Sequence, residues 1–185
     1  MRKLISVTAL FTLLVVGCGP VLSLHPLYTD EDVIFNPALV GSWGEAGDSG
    51  GWIFKKAEDN VYSVTLLDIG SSGGDSLSLE GHLIQLNGYM FMDVTSKESA
   101  VENALVVPVH AFLRLSLEGD SLGIAYMDDS WLQETIEQNK EQIKHEQMNG
   151  SGILLTASPK ELQQLVLKYA EDEKAFDLEY GHRRN

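Results

Sequence analysis

The segment Gly-Asp-Ser-Gly-Gly at residues 47–51 contains the serine whose surroundings are most typical of a nucleophile in this 185-residue chain. A serine hydroxyl attacks a carbonyl only when an imidazole base lies within hydrogen-bonding reach and an acid orients that base. His25 is the only histidine that precedes Ser49. Glycines and an aspartate between two tryptophan-bearing stretches are also typical of a hairpin loop.

The same string resembles the sequence around the nucleophile of chymotrypsin-like serine proteases. That family places its histidine and aspartate earlier in the chain, on a complete first barrel. The residues before Ser49 leave no room for such a barrel and lack both motifs. The sequence therefore predicts a loop at 47–51 and a protein that is not an enzyme.

The histidines show no metal-ligand spacing, because His25, His82, His110, His145 and His182 lie far apart. Glu80, His82 and Asp93 could meet across a hairpin over residues 77–94, where such groups more often form a solvated face. The sequence predicts no metal site and no cofactor.

The N-terminus combines a short basic region, Arg2-Lys3, with an uncharged apolar run over residues 4–16 and the only cysteine of the chain. The run is too short to span a bilayer comfortably and is typical of a signal segment. Val15-Val16-Gly17-Cys18 resembles the lipobox of bacterial lipoproteins.

That resemblance implies cleavage after residue 17 and attachment of lipid to Cys18, so the predicted location is the bacterial cell envelope. Several acyl chains hold a protein durably at a bilayer. Gly19 replaces the aspartate that tends to retain lipoproteins at the inner membrane. The expectation is therefore the periplasmic face of the outer membrane, if the host has two membranes.

The charge is strongly acidic, with 27 acidic against 13 basic residues and a net charge of −14. Removal of residues 1–17 leaves 11 basic residues and a charge of −16. Such a chain is repelled by nucleic acid and suits a basic protein partner. A single cysteine excludes an internal disulfide, so the fold must depend on its core.

Three segments are expected: a signal peptide at 1–17, a lipidated N-terminus and tether at 18–40, and one domain at 41–185. The tether contains scattered hydrophobic residues that would lie against the body. The rest is long enough for one well-buried domain and too short for two.

Short β-like runs separated by turn residues fill the chain from Gly41, and Asn87-Gly88 is a strong hairpin signal. A helix is predicted near 130–141 and a C-terminal helix after the capping box Ser158-Pro-Lys-Glu161. The charged tail from Glu171 is expected to fray. The predicted fold is mostly β, an antiparallel barrel of about eight strands with these two helices.

Gly41-Ser-Trp43 follows a short helical turn and opens the first strand, and it resembles the Gly-x-Trp signature of lipocalins. In that family the tryptophan closes the floor of the barrel and packs on an arginine from a late strand. Here that arginine would have to be Arg114, or be missing. The segments HPLYT, PALVGSW and VPVHAFLR also resemble a group of uncharacterised bacterial lipoproteins.

Alternation along residues 107–117 puts His110, Phe112 and Arg114 on one face and aliphatic residues on the other. If the aliphatic face is the core, these three side chains point outward, under the C-terminal helix. If the barrel has a polar-lined cavity, His110 and Arg114 could bind a carboxylate or phosphate group, while Phe112 and Tyr62 contact its tail.

The predicted function is non-covalent binding of a small hydrophobic or amphipathic ligand, such as a lipid or fatty acid, near the membrane. The alternative is a protein-binding envelope module, such as a lysozyme-type inhibitor or an assembly factor. A cavity lined by aromatic side chains favours the first, with Trp52, Phe54, Tyr62, Phe91 and Phe112 as candidates. A filled barrel with one acidic, aromatic-rimmed loop face favours the second.

Overall fold

The computed structural model describes residues 19–45, 50–67, 75–96, 107–148 and 152–184. Cys18 and Ser49 lie outside these ranges. The strands are β1 (Leu22–Ser23), β2 (Val33–Ile34), β3 (Gly41–Gly44), β4 (Gly51–Lys56), β5 (Val61–Leu67), β6 (Ser76–Leu86), β7 (Tyr89–Ser96), β8 (His110–Glu118), β9 (Ser121–Tyr126), β10 (His145–Gln147), β11 (Ile153–Leu155) and β12 (Glu179–Arg184). A 3-10 turn spans Pro37–Leu39, and the helices are α1 (Asp129–Glu137) and α2 (Pro159–Lys168).

Eight strands form a closed antiparallel barrel, in the order β3-β4-β5-β6-β7-β8-β9-β12 and back to β3. The predicted lipocalin-like barrel of about eight strands is therefore confirmed. The two predicted helices are confirmed as well, as α1 and α2. Closure pairs each of these eight described strands on both sides, so the barrel itself has no free edge, while β10 remains at the edge of the side sheet β1–β11–β10.

The strand that closes the barrel is β12, the last described element, and the expectation of a frayed tail is wrong. Arg183 pairs with Gly44 of β3 and with Ser121 of β9. The ladder to β9 is irregular between Glu179 and His182. Because many of its side chains are charged, the segment does not have the apolar alternation that identifies a strand in a sequence.

The two ends of the barrel differ. Tight turns at 57–60, 87–88 and 119–120 join strands at one end, which we call the floor. Asn87 and Gly88 both have positive φ, as the predicted hairpin turn requires. The opposite end, where β5, β7 and β9 finish, is called the mouth.

The barrel wall lies between two hydrophobic clusters along strands β6 to β9. The inner cluster fills the barrel and includes Phe54, Leu83, Met92 and Leu122, all without exposed surface. The outer cluster lies on the other face of β6 to β9, where the helices and the β1–β10–β11 strands cover it. Only glycine fits at position 81, because a Cβ there would come within 2.9 Å of side chains inside the barrel.

The N-terminal residues pack on the barrel from residue 20 onward. Pro20 forms a β-bridge with Asp128, and the Val21 N–H donates to the Met127 carbonyl at 2.9 Å. Val21 and Leu27 are fully buried in the outer cluster. This segment therefore forms part of the folded body.

Asp93 of β7 anchors this segment through a fully buried carboxylate. One oxygen accepts the Leu27 N–H at 2.7 Å, and the other lies 2.6 Å from His110 Nδ1. The short distance between Nδ1 and this oxygen means that the imidazole and the carboxylate share one hydrogen bond. The barrel wall and the N-terminal segment thus share one buried acceptor.

We expect Asp93→Ala to destabilise the fold by about 3 kcal/mol, because it leaves the buried Leu27 N–H and the half-buried His110 Nδ1 without their partner. The exposed Asp75→Ala is the matched control and should change stability by less than about 0.5 kcal/mol. Urea unfolding measures both, and amide hydrogen exchange should show faster exchange at Leu27 in the first variant. Equal stability of the two variants would contradict the anchoring role.

Candidate functional site

The floor is built around Gly41 and Trp43, the two residues predicted to close the barrel. Trp43 is fully buried, and its indole N–H donates to the Leu39 carbonyl of the 3-10 turn at 2.9 Å. Gly41 has φ +154°, and a Cβ there would lie 3.0 Å from an Arg184 nitrogen. The Gly-x-Trp pattern therefore has a steric reason and a packing reason in this chain.

The arginine that packs on Trp43 is Arg184, so both alternatives expected for this position, Arg114 or no arginine, are wrong. The Arg184 guanidinium lies 4.4 Å from the centroid of the indole ring. It donates to the Val40 carbonyl at 2.8 Å and also to the Ala38 carbonyl. A guanidinium suits this position because one planar group can stack and donate several hydrogen bonds together.

Tyr62 belongs to the floor and not to a cavity. Its hydroxyl accepts the Asn36 N–H at 2.7 Å and donates to the Asn36 carbonyl at 3.0 Å. Burial raises the pKa of Tyr62, and the bond from the Asn36 backbone partly opposes that shift. The tyrosine thus fastens the segment before the 3-10 turn to the barrel interior.

An apolar cavity of about 510 Å³ opens at the mouth. Its walls are the upper, inward-facing ends of the strands, together with the N-terminal segment. The lining includes Pro20, Leu22, Trp52, Leu66, Leu77, Leu79, Val94, Val107, Ala111, Leu113 and Tyr126. The volume falls within the range of ligand pockets in proteins. The lower half of the barrel is filled with side chains and its upper half is open.

A second cavity of about 650 Å³ adjoins the first and shares Trp52, Leu113 and Tyr126 with it. Its other walls carry polar groups, namely Asp128, Glu173, Lys174, Asp177 and His182. The Nδ1 atom of His182 is buried and has no hydrogen-bond partner among the described residues. The mouth therefore joins an apolar space to a polar space with more carboxylates than cationic groups.

His110, Phe112 and Arg114 lie on the outer face of β8, so the structure has the first of the two alternatives for this strand. Phe112 is buried in the outer cluster, and Arg114 lies 5.3 Å from the Tyr89 ring centroid. With Tyr62 in the floor, the four proposed ligand contacts do not share a cavity. The physical reason is that β8 turns its aliphatic side chains toward the barrel interior, which leaves the other face of the strand outside.

The aromatic side chains expected around a cavity are also divided. Of the five candidates only Trp52 lines the cavity at the mouth. Phe54 and Tyr62 fill the lower barrel, whereas Phe91 and Phe112 belong to the outer cluster. Trp52 stacks on Phe54 at 6.1 Å and marks the boundary between the filled and the open halves.

Asp93 and His110 are placed like the acid and the base of a catalytic triad, but the nearby serine, Ser23, does not donate its hydroxyl to His110. Ser23 lies opposite His110 in the β1–β8 register and is fully buried. Its hydroxyl donates to the His25 carbonyl at 2.7 Å. Within the described residues this arrangement holds the N-terminal segment in place.

Glu80, His82 and Asp93 do not converge on one point. His82 Nε2 lies 3.9 Å from the nearer Glu80 oxygen, while Asp93 faces Leu27 and His110. Burial under the Tyr28 ring, which stacks on His82 at 4.1 Å, lowers the pKa of that imidazole. In the part of the chain that the structure describes, no three metal-ligating side chains are grouped to hold an ion.

The sequence interpretation missed two residues of the tail. Arg184 closes the floor and His182 faces the second cavity. The two residues are two positions apart, and this spacing was the available signal of a strand, because every second residue of a strand lies on the same face.

Among the described residues no helix is long and apolar enough to cross a membrane.

We expect Arg184→Ala to lower the unfolding free energy by about 2 kcal/mol, because it removes the contact with Trp43 and the hydrogen bonds to two carbonyls. Arg184→Lys should recover only part of this loss, since an ammonium cannot stack and donate in the same way. The neighbouring Arg183→Ala is the control. Urea unfolding followed by tryptophan fluorescence measures all three, and equal losses at 183 and 184 would refute the special role of Arg184.

No family model, curated protein or solved structure matches the chain.

Proposed function

We propose that this protein is a lipid-anchored cell-envelope protein whose barrel binds a small hydrophobic or amphipathic ligand non-covalently. The observation that carries the proposal is the apolar cavity of about 510 Å³ at the mouth, above a floor that is fully packed. Side chains alone can fill the interior of a small barrel. An upper half that is left open loses packing contacts, and a bound ligand can offset that loss.

The polar half of the mouth restricts the ligand chemistry. Asp128, Glu173 and Asp177 lie around the second cavity with Lys174 as its one Lys or Arg side chain among the described lining residues. A fatty-acid carboxylate would meet repulsion there, because three acidic groups outnumber that cation. The proposal therefore favours a ligand with an apolar chain and an uncharged or cationic polar end.

The alternative of a basic protein partner is supported by the acidic charge of the chain. The open upper half favours ligand binding, because a filled barrel is the form expected of a purely protein-binding module. Charge alone also serves solubility. We therefore propose ligand binding over a basic protein partner, and we propose that the protein catalyses no reaction.

We expect Ala111→Trp to weaken binding of N-phenyl-1-naphthylamine, a neutral hydrophobic fluorophore, by about tenfold or more, because the indole occupies the cavity. Lys55→Trp adds the same side chain on the exposed outer face of β4 and should leave binding unchanged. Fluorescence titration measures both affinities, and thermal unfolding checks that both variants fold. Equal affinities in the two folded variants would place the ligand outside the cavity or exclude it.

Replacement of the proposed lipid-attachment residue, Cys18→Ala, should release the protein from membranes into the soluble fraction. The acyl chains on Cys18 are the anchor in this proposal, because several chains together bind a bilayer durably whereas a single chain does not. Fractionation of host cells by centrifugation measures the change, with the exposed Ser76→Ala as a control that keeps Cys18. A variant that still sediments with membranes would refute the lipid anchor.

A further inference from the structure

The N-terminal residues of the described chain are fixed at the mouth of the barrel. The Asp129 N–H donates to the Gly19 carbonyl at 3.1 Å, and Pro20 is bridged to Asp128. Pro20 and Leu22 also line the apolar cavity. The point where the chain enters the folded body is therefore part of the mouth itself.

Very little chain separates this point from the proposed anchor. Gly19 is the single residue between Cys18 and Pro20. Since an extended chain advances at most about 3.6 Å per residue, the two-residue step from Cys18 to Pro20 can span no more than about 7 Å. A lipid attached to Cys18 therefore keeps the mouth of the barrel close to the bilayer.

The mouth also presents apolar surface to its surroundings. Val107 is 63% exposed, Tyr126 42% and Leu77 38%, and all three line the cavity opening. A contiguous exposed apolar patch of this kind marks an interaction surface. A tyrosine with a buried body and a wet edge is common where protein meets the headgroup region of a bilayer.

We propose that the mouth of the barrel rests on the lipid leaflet that holds the Cys18 anchor, so that the apolar cavity opens directly into that leaflet. This inference rests on the lipid anchor of the proposed function and adds the orientation of the barrel and the source of its ligand. Asp75, Asp128 and Glu173 lie at this end of the barrel, so the matching surface is a zwitterionic leaflet and not an anionic one. A ligand would enter from the bilayer without crossing water.

The test uses the mature, lipidated protein in phosphatidylcholine vesicles, with a nitroxide spin label on one added cysteine. Cys18 is the only native cysteine, and its alkylated sulfur does not react with the label. Val107→Cys places the label at the mouth, and Glu58→Cys places it in the exposed turn at the floor. Leu77→Cys repeats the mouth measurement on a different strand.

Collision with oxygen, which concentrates in lipid, is compared with collision with a water-soluble nickel complex. The oxygen-to-nickel ratio should be several-fold higher for the labels at 107 and 77 than for the label at 58. Equal ratios at the two ends, or a higher ratio at 58, would overturn the proposed orientation while the protein remains bound to vesicles.

Failure of the orientation is separable from failure of the proposed function. If the vesicles bind no protein, both the anchor and the orientation are refuted. Fluorophore binding that Ala111→Trp weakens would still establish the cavity in that case. A mouth label in lipid together with unaltered fluorophore binding in Ala111→Trp would support the orientation and refute the ligand site.

Discussion

The pairing of β12 between β3 and β9 is the interaction on which the barrel depends. Without this strand the remaining sheet has two open edges, and open edges pair with other chains. Its final residue, Arg184, adds a guanidinium beneath Trp43 and hydrogen bonds to the carbonyls around the 3-10 turn. One short segment thus closes the wall and seals the floor.

The barrel interior is packed at the floor and open at the mouth. Trp43, Phe54 and Tyr62 occupy the lower interior and leave it without space. Aliphatic residues of moderate size follow toward the mouth, and they line the cavity instead of filling it. The division between a structural half and a half available to a ligand therefore follows from side-chain volume along the strands.

Much of this architecture can be predicted from the sequence, because turn residues and alternation identify most of the strands. Asn87-Gly88 specifies a hairpin, and Gly41-x-Trp43 locates the floor. The orientation of His110 and Phe112 cannot be derived in this way. The outer face of β8 is covered by other elements, so both faces of that strand are buried and alternation does not distinguish inside from outside.

The strand β12 shows a second limit. Its charged side chains suggest a solvated tail, yet its backbone finds two neighbours, and hydrogen bonds between strands require no particular side chains. Arg184 is apolar enough along its stem to cover an indole while its charged end reaches carbonyl oxygens. Such a residue looks like surface in the sequence and acts as part of the floor.

The position of β12 in the chain also makes closure of the barrel a contact between distant parts of the sequence. Arg184 and the Val40 carbonyl that it contacts are 144 positions apart. The hairpins from β3 to β9 can form from neighbouring segments, whereas closure needs β12 to reach both β3 and β9. Contacts over such sequence distances slow folding. Until β12 is in place, β3 and β9 stay unpaired on one side, and in this interval the chain most needs protection from association with other copies.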